Sequence, residues 1–200
     1  MSLAGVAAPG GRALVLASTS PRRLELLARL GVAPARLASP DIDETPLKGE
    51  LPRLYVDRLA KAKAKAAAVE RAPGEVVLAG DTTVAVGRRI LGKPADEADW
   101  RAMLTLLSGR RHHVWSAVCV VDADGRVRAR VSDSVVAFKP LSAAEIDWYV
   151  ASGEGMGKAG GYAIQGRAEA FVRFLAGSHS GVVGLPLYET RALLVAAGVL

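Results

Sequence analysis

An α/β fold built on a mixed, twisted sheet follows from three features of this chain. Strand-like and helix-like patterns alternate from Ala13 onward, as in β-α-β units. Two pairs of apolar runs are joined by tight turns, Gly87-Arg88 and Asp124-Gly125, and such hairpins rule out a purely parallel sheet. Half of the 200 residues are hydrophobic, enough for one core, yet no apolar run reaches membrane-spanning length.

Each element has a local reason. The apolar residues 13–17 form the first strand. A helix follows over residues 21–30, with Ser20 as N-cap, Pro21 at the first helical position and Gly31 as stop. The polar run ASPDIDETPLKGE, with Pro40 and Pro46, is a loop. Residues 52–70 carry an apolar stripe of Tyr55, Val56, Leu59, Ala60, Ala64 and Ala67 at helical spacing, and Pro73-Gly74 breaks the chain after them. EVVLAG is a strand that ends at Asp81. TTVAV continues as strand to the Gly87-Arg88 turn, from which Ile90-Leu91 returns. A third helix spans residues 96–108, closed by Gly109. Long strands cover 113–121 and 127–138. Ser142 and Glu145 form a capping box for a fourth helix through residue 151. SGEGMGKAGGYAIQG is too rich in glycine for a regular element. A strand over 170–177 and a helix starting at Pro186 complete the chain. Residues 1–12, small and without a basic-then-apolar leader pattern, are expected to be a flexible tail ahead of one domain over 13–200.

Composition narrows the function. There are 26 Lys and Arg against 20 Asp and Glu, a net charge of +6. The charge is scattered, with no basic stripe studded with aromatics and no zinc-finger spacing. It suits a small polyanion better than nucleic acid. One cysteine, Cys119, excludes an internal disulfide and fits a reducing cytoplasm; within AVCVV it is a core residue.

Six places carry candidate chemistry. STSPRR sets Arg22 and Arg23 on the first turn of a helix directly after a strand, where free amides and the dipole also favour an anion, most simply a phosphate chain. Asp81, at the end of a buried run and next to Thr82, suits a divalent metal or a general base. Asp41, Asp43 and Glu44 form an acidic loop that could supply a second carboxylate to Mg²⁺. Lys63 falls on the apolar stripe of its helix, so it either snorkels or meets an anion. Lys93, held before Pro94, is a point charge for a phosphate. In KAGGYAIQG, Gly160 and Gly161 permit an unusual chain path, and Gln165 offers both a donor and an acceptor to a base edge. There is no P-loop and no dinucleotide fingerprint.

Taken in order, SPRR followed by ELL, DET, LAKAKA, GDT, LGKP, LSGR, KAGGYAIQG and VVGLPLYET resemble the Maf family of nucleoside triphosphate pyrophosphatases, over residues 14–194. The resemblance implies an elongated two-lobed fold with a central cleft, related to inosine triphosphate pyrophosphatases. It implies metal-assisted hydrolysis between the α- and β-phosphates, with Mg²⁺ or Mn²⁺. Asp81 matches the family's proton-accepting carboxylate, and Glu44 matches an acid near the metal that Asp81 would also hold. Ser18, Arg22, Arg23, Lys63 and Lys93 match its phosphate-site residues. Relatives suggest a homodimer, with a small nucleotide as substrate and neither nucleic acid nor membrane as partner. Arg22, Thr82 and Gln165 resemble the branch acting on dTTP and UTP. The alternatives are the same chemistry on 7-methyl-GTP or other modified nucleotides, or a nucleotide-binding division regulator that does not cut. Gly80, where the family often has alanine, and Glu154-Gly155, where it often has Glu-Pro, depart from the pattern.

Overall fold

Residues 11–200 are described in the structure, a computed structural model. Strand β1 (Leu14–Leu16) lies parallel to β2 (Arg36–Leu37) on one side and to the start of β3 (Val76–Val86) on the other. Helices α1 (Pro21–Ala28) and α2 (Pro52–Ala68) make the crossovers on opposite faces. Leu14, Leu16, Val76 and Leu78 pack against Leu26 and Leu27 of α1. Val15, Ala17, Val77 and Ala79 pack against Val56, Ala60 and Ala64 of α2. Strands covered on both faces need continuous apolar runs, which is how LVL and VVLA read in the sequence.

The rest of the sheet is antiparallel. Beyond β3 come β4 (Arg89–Leu91), α3 (Glu97–Leu107), β5 (Arg111–Val121), β6 (Val127–Phe138), α4 (Ala143–Val150), β7 (Val172–Ala176), α5 (His179–Val183) and α6 (Leu187–Ala196). The strand order is β2-β1-β3-β5-β6-β7, with β4 paired to β3. The mixed sheet and both hairpins are as expected from the turns; Gly87 (φ 59°) and Gly125 (φ 84°) take the positive φ those turns require. The long strands β3, β5 and β6 carry separate cores along their length. At one end the sheet is sandwiched between α1 with α6 and α2. At the other, Trp100, Leu104, Tyr149, Tyr162 and Phe171 bring α3, α4 and the segment after α4 onto Val84, Val114 and Val136. Cys119 is fully buried beneath α2, and burial pushes its thiol up to about 11. Among the described residues no helix is long and apolar enough to cross a membrane.

Several expectations need correction. Asp81 is not at a strand end: β3 runs unbroken for 11 residues with Asp81 in its middle, opposite Ala117 of β5. Ser20 occupies the N-cap position of α1, but its hydroxyl makes no capping bond; its own N–H donates to Ser18 Oγ at 3.2 Å. Tyr55 is only half-buried and belongs to the cleft rather than to the apolar stripe. The glycine-rich stretch is irregular, as expected, yet it buries Tyr162, Ala163 and Ile164. Neither β2 nor α5 was anticipated. Residues 1–10 of the expected tail lie outside the described residues, and the Arg12 N–H donates to Gly198 O at 3.0 Å.

Candidate active site

A gap in the sheet creates the cleft. One edge of β3 is paired throughout with β5, from Val77 to Ala85. Its other edge pairs with β1 only through Leu78 and with β4 only from Val84. Residues 79–83 therefore have no strand beside them on that edge. Chain leaving β1 and β4 rises on either side, and a cavity of about 540 Å³ opens over Asp81 and Thr82. Of the residues singled out in the sequence, Ser18, Arg22, Arg23, Glu44, Lys63, Lys93, Asp81, Thr82 and Gln165 line it.

At its floor stands a charged triad. Alternation along β3 turns Asp81 to the α2 face, where Lys63 meets it. Lys63 Nζ lies 2.7 Å from Asp81 Oδ1 and 2.7 Å from Glu44 Oε1. The Lys63 and Asp81 side chains are 12% and 10% exposed and Glu44 46%, so the first pair is desolvated and the second is not. The lysine on the apolar stripe has thus met its anion. Burial raises the Asp81 carboxyl above its ordinary range, and Lys63 and Arg23 oppose this only in part. Burial also acts on Glu44, but Lys63, Lys93 and Arg23 outweigh it and hold that carboxyl below its usual value.

The acidic loop is docked by α2. Tyr55 Oη donates to Glu44 O at 2.9 Å, and Arg58 binds both Glu50 oxygens at 2.7 Å and Thr45 O at 3.1 Å. Burial, with Asp81 and Glu44 nearby, pushes the Tyr55 phenol up to about 12. Tyr55 is a site residue that sequence reading missed, because its position on the apolar stripe has a sufficient packing explanation. Asp43 instead accepts the Thr45 N–H at 2.8 Å, and neither it nor Asp41 lines the cleft.

Five basic side chains, Arg22, Arg23, Lys63, Lys93 and Lys158, line the cleft against two carboxylates. Arg23 is held before any ligand arrives: Nε donates to Gly184 O at 2.9 Å and Nη1 to Ser18 Oγ at 3.2 Å. Burial lowers its pKa, which is the desolvation an anion would relieve. Lys158 was not singled out from the sequence. Its Nζ donates to Glu154 O, and burial followed by the like charge of Arg22 lowers its pKa. Its signal was present, a lysine opening KAGGY, but only the fold brings it opposite Arg22.

The glycine-rich loop is clamped from behind. Trp100 Nε1 donates to Gly161 O at 2.6 Å, and the Ala163 N–H donates to Tyr149 Oη at 3.0 Å. The Glu154 carboxylate accepts the Arg167 N–H at 2.9 and 3.2 Å. A Cβ at Gly160 would lie 2.8 Å from Val84, and one at Gly161 2.5 Å from Trp100, so both glycines are needed for close approach as well as for their φ near +70°. This clamp holds Gln165, which is exposed at the cleft. At Gly80, a Cβ would sit 3.2 Å from Ala117 O and 3.6 Å from Arg23 Nε. The missing methyl leaves the arginine room.

The donor set suits a hard divalent cation. Asp81 and Glu44, from two segments, converge on one ammonium, each with a second oxygen to offer. Among the described residues no group of three or more His, Cys, Asp or Glu gathers. Mg²⁺ is commonly held in this way, by one or two carboxylates with substrate phosphates and water completing the shell.

Comparisons with known proteins give the chain its relatives. The family model described as Maf-like protein matches residues 13–197. A dTTP/UTP pyrophosphatase of Sphingopyxis alaskensis is 79% identical over 94% of this chain and 97% of its own. That of Novosphingobium aromaticivorans is 62% identical over 98% of each chain, and that of Caulobacter vibrioides 57% over 94% and 97%. Among solved structures, a nucleoside-triphosphatase / dITP/XTP pyrophosphatase from Mycobacterium abscessus aligns with a TM-score of 0.42 at 20% identity, over 65% of this chain and 76% of that one.

Proposed function

The chain belongs to the Maf-like protein family, and from that membership and the cleft we propose that it hydrolyses dTTP and UTP to the nucleoside monophosphate and pyrophosphate. The observation that carries this reading is a buried carboxylate, Asp81, at the floor of a cleft whose other charged groups are mostly basic. A binding protein for triphosphates has no use for a desolvated carboxylate there, since it repels the phosphates. A hydrolase needs one.

Asp81 is the proton acceptor for the water that attacks the α-phosphorus. Its raised pKa makes it a stronger base than an exposed carboxylate. Lys63 engages Oδ1 and fixes the carboxylate plane, leaving Oδ2 to take the proton. As the bond between the α-phosphorus and the bridging oxygen breaks, the pair of electrons leaves with pyrophosphate. Arg22, Arg23, Lys63 and Lys93 neutralise that charge, Ser18 holding Arg23 in place. Losing one such contact should lower the rate by about 100-fold. Glu44 and Asp81 would hold Mg²⁺ or Mn²⁺, which when bound supplies charge neutralisation and lowers the pKa of water. Thr82 and Gln165 read the base, with Arg22 shaping the specificity. The same reading puts the enzyme in the cytoplasm as a homodimer.

Pyrophosphate release with Mg²⁺ from dTTP, UTP, CTP, dATP, GTP and 7-methyl-GTP, measured side by side, tests this. Release chiefly from dTTP and UTP is expected. Release chiefly from 7-methyl-GTP would keep the chemistry and overturn the specificity. Binding without release would overturn the activity.

A further inference from the structure

Thr82 faces the cleft from the middle of β3, and its Oγ1 lies 2.8 Å from Ser116 Oγ on β5. Geometry alone lets either hydroxyl donate in that contact. The next link decides it. Ser116 Oγ also lies 2.5 Å from the backbone oxygen of Gly181 in α5. A carbonyl can only accept, so the single Ser116 hydroxyl proton is committed to Gly181. Ser116 has none left for Thr82, and the shared contact is made by the Thr82 proton. Ser116 is 1% exposed, so water does not compete for its bonds. The chain of bonds thus has one direction, from Thr82 to Ser116 to Gly181, and its open end in the cleft is a pair of lone pairs on Thr82 Oγ1.

We propose that Ser116 is a positioning residue that makes the Thr82 hydroxyl an acceptor only, so that the cleft selects pyrimidines carrying a ring N–H. This rests on the proposed dTTP and UTP activity and gives it a chemical basis. Uracil and thymine present an N3–H donor between two carbonyl oxygens. Cytosine has a lone pair at N3, which would face the Thr82 lone pairs across the same contact. A hydroxyl free to rotate would donate to cytosine N3 and accept from uracil N3–H equally well. The preference therefore comes from the buried neighbour that removes that freedom, and a site with its polarity fixed rejects the mismatched ligand more strongly than an adaptable one. Gln165, whose amide holds both polarities and makes no bond to the protein among the described residues, supplies the adaptable contact and not the discriminating one.

The test is kcat/KM for pyrophosphate release from dTTP, UTP and CTP in the wild type, Ser116→Ala and Ser116→Cys, with thermal midpoints recorded for each. The alanine variant frees the Thr82 proton. Its preference for UTP over CTP is expected to fall by about tenfold, through CTP gaining and not only UTP losing. Cysteine, a weaker donor of similar shape, should fall between the two. A purely structural role for Ser116 would lower UTP and CTP turnover alike and leave their ratio unchanged. A wild-type enzyme that prefers UTP, with that preference intact in both variants, overturns the proposal while the activity stands. A wild type with no preference for dTTP and UTP overturns the underlying reading instead. Should the alanine variant fail to fold, the cysteine variant decides by the same ratio.

Discussion

Replacing Lys63 by methionine keeps the volume of the side chain and removes its charge. The ammonium lies 2.7 Å from Asp81 Oδ1, and both side chains are nearly out of water, at 12% and 10% exposure. Breaking a buried pair by deleting one partner costs about 3–5 kcal/mol, because the remaining charge is stranded. Arg23 still acts on Asp81, which places the cost at the low end, about 3 kcal/mol at neutral pH and above. Glu44, nearly half exposed, adds little. The cost depends on pH. In the wild type burial already lifts the folded Asp81 pKa above its unfolded value near 3.8. Between those two values the native state binds more protons than the unfolded state, so stability falls as pH rises through that interval. Lys63→Met extends the interval upward, since a cation that opposed the shift is gone. Urea unfolding should therefore find the variant most destabilised at pH 8, with the difference shrinking toward pH 5 as Asp81 protonates. The acid limb of kcat/KM should move to higher pH in step. An equal loss of stability at both pH values, or an acid limb that stays in place, would refute the coupling and leave Lys63 as a phosphate contact alone.

Other substitutions probe the remaining parts. Asp81→Asn should lower turnover by about 100-fold or more while nucleotide still binds by calorimetry; normal turnover would remove Asp81 from the chemistry. Gly161→Ala forces a left-handed backbone, costing about 1–2 kcal/mol, and pushes a methyl against Trp100, costing about 1–3 kcal/mol; the thermal midpoint should drop by several degrees, and an unchanged midpoint would contradict the close packing at that position. Glu154→Ala removes the carboxylate that accepts the Arg167 N–H behind Gln165, so KM for UTP should rise with kcat largely kept; a fall in kcat alone would place the loop in the chemical step.

Much of this protein is written in local patterns. The strand-to-helix passage at SPRR and the period of α2 depend only on neighbours a few residues apart, as do the capping box at Ser142 and the hairpins at Gly87 and Gly125; the structure has all of them in place. Even the inward-facing position of Lys63 could be seen from its helix alone, although the choice between snorkelling and an anionic partner fell to the fold. Long-range pairing settled what local patterns could not. Asp81 read as the end of a strand because a charged residue after VVLAG resembles a boundary. In the fold β5 pairs straight past it, and the true boundary is the loss of β1 on the other edge. Lys158 faces Arg22, Tyr55 faces the acidic loop, and Ser116 meets Gly181 across 65 residues, each through contacts with no footprint at short range. Residue types and spacings name the groups available for chemistry. Where they meet, and which way their protons point, follows from how separate segments stack on one sheet.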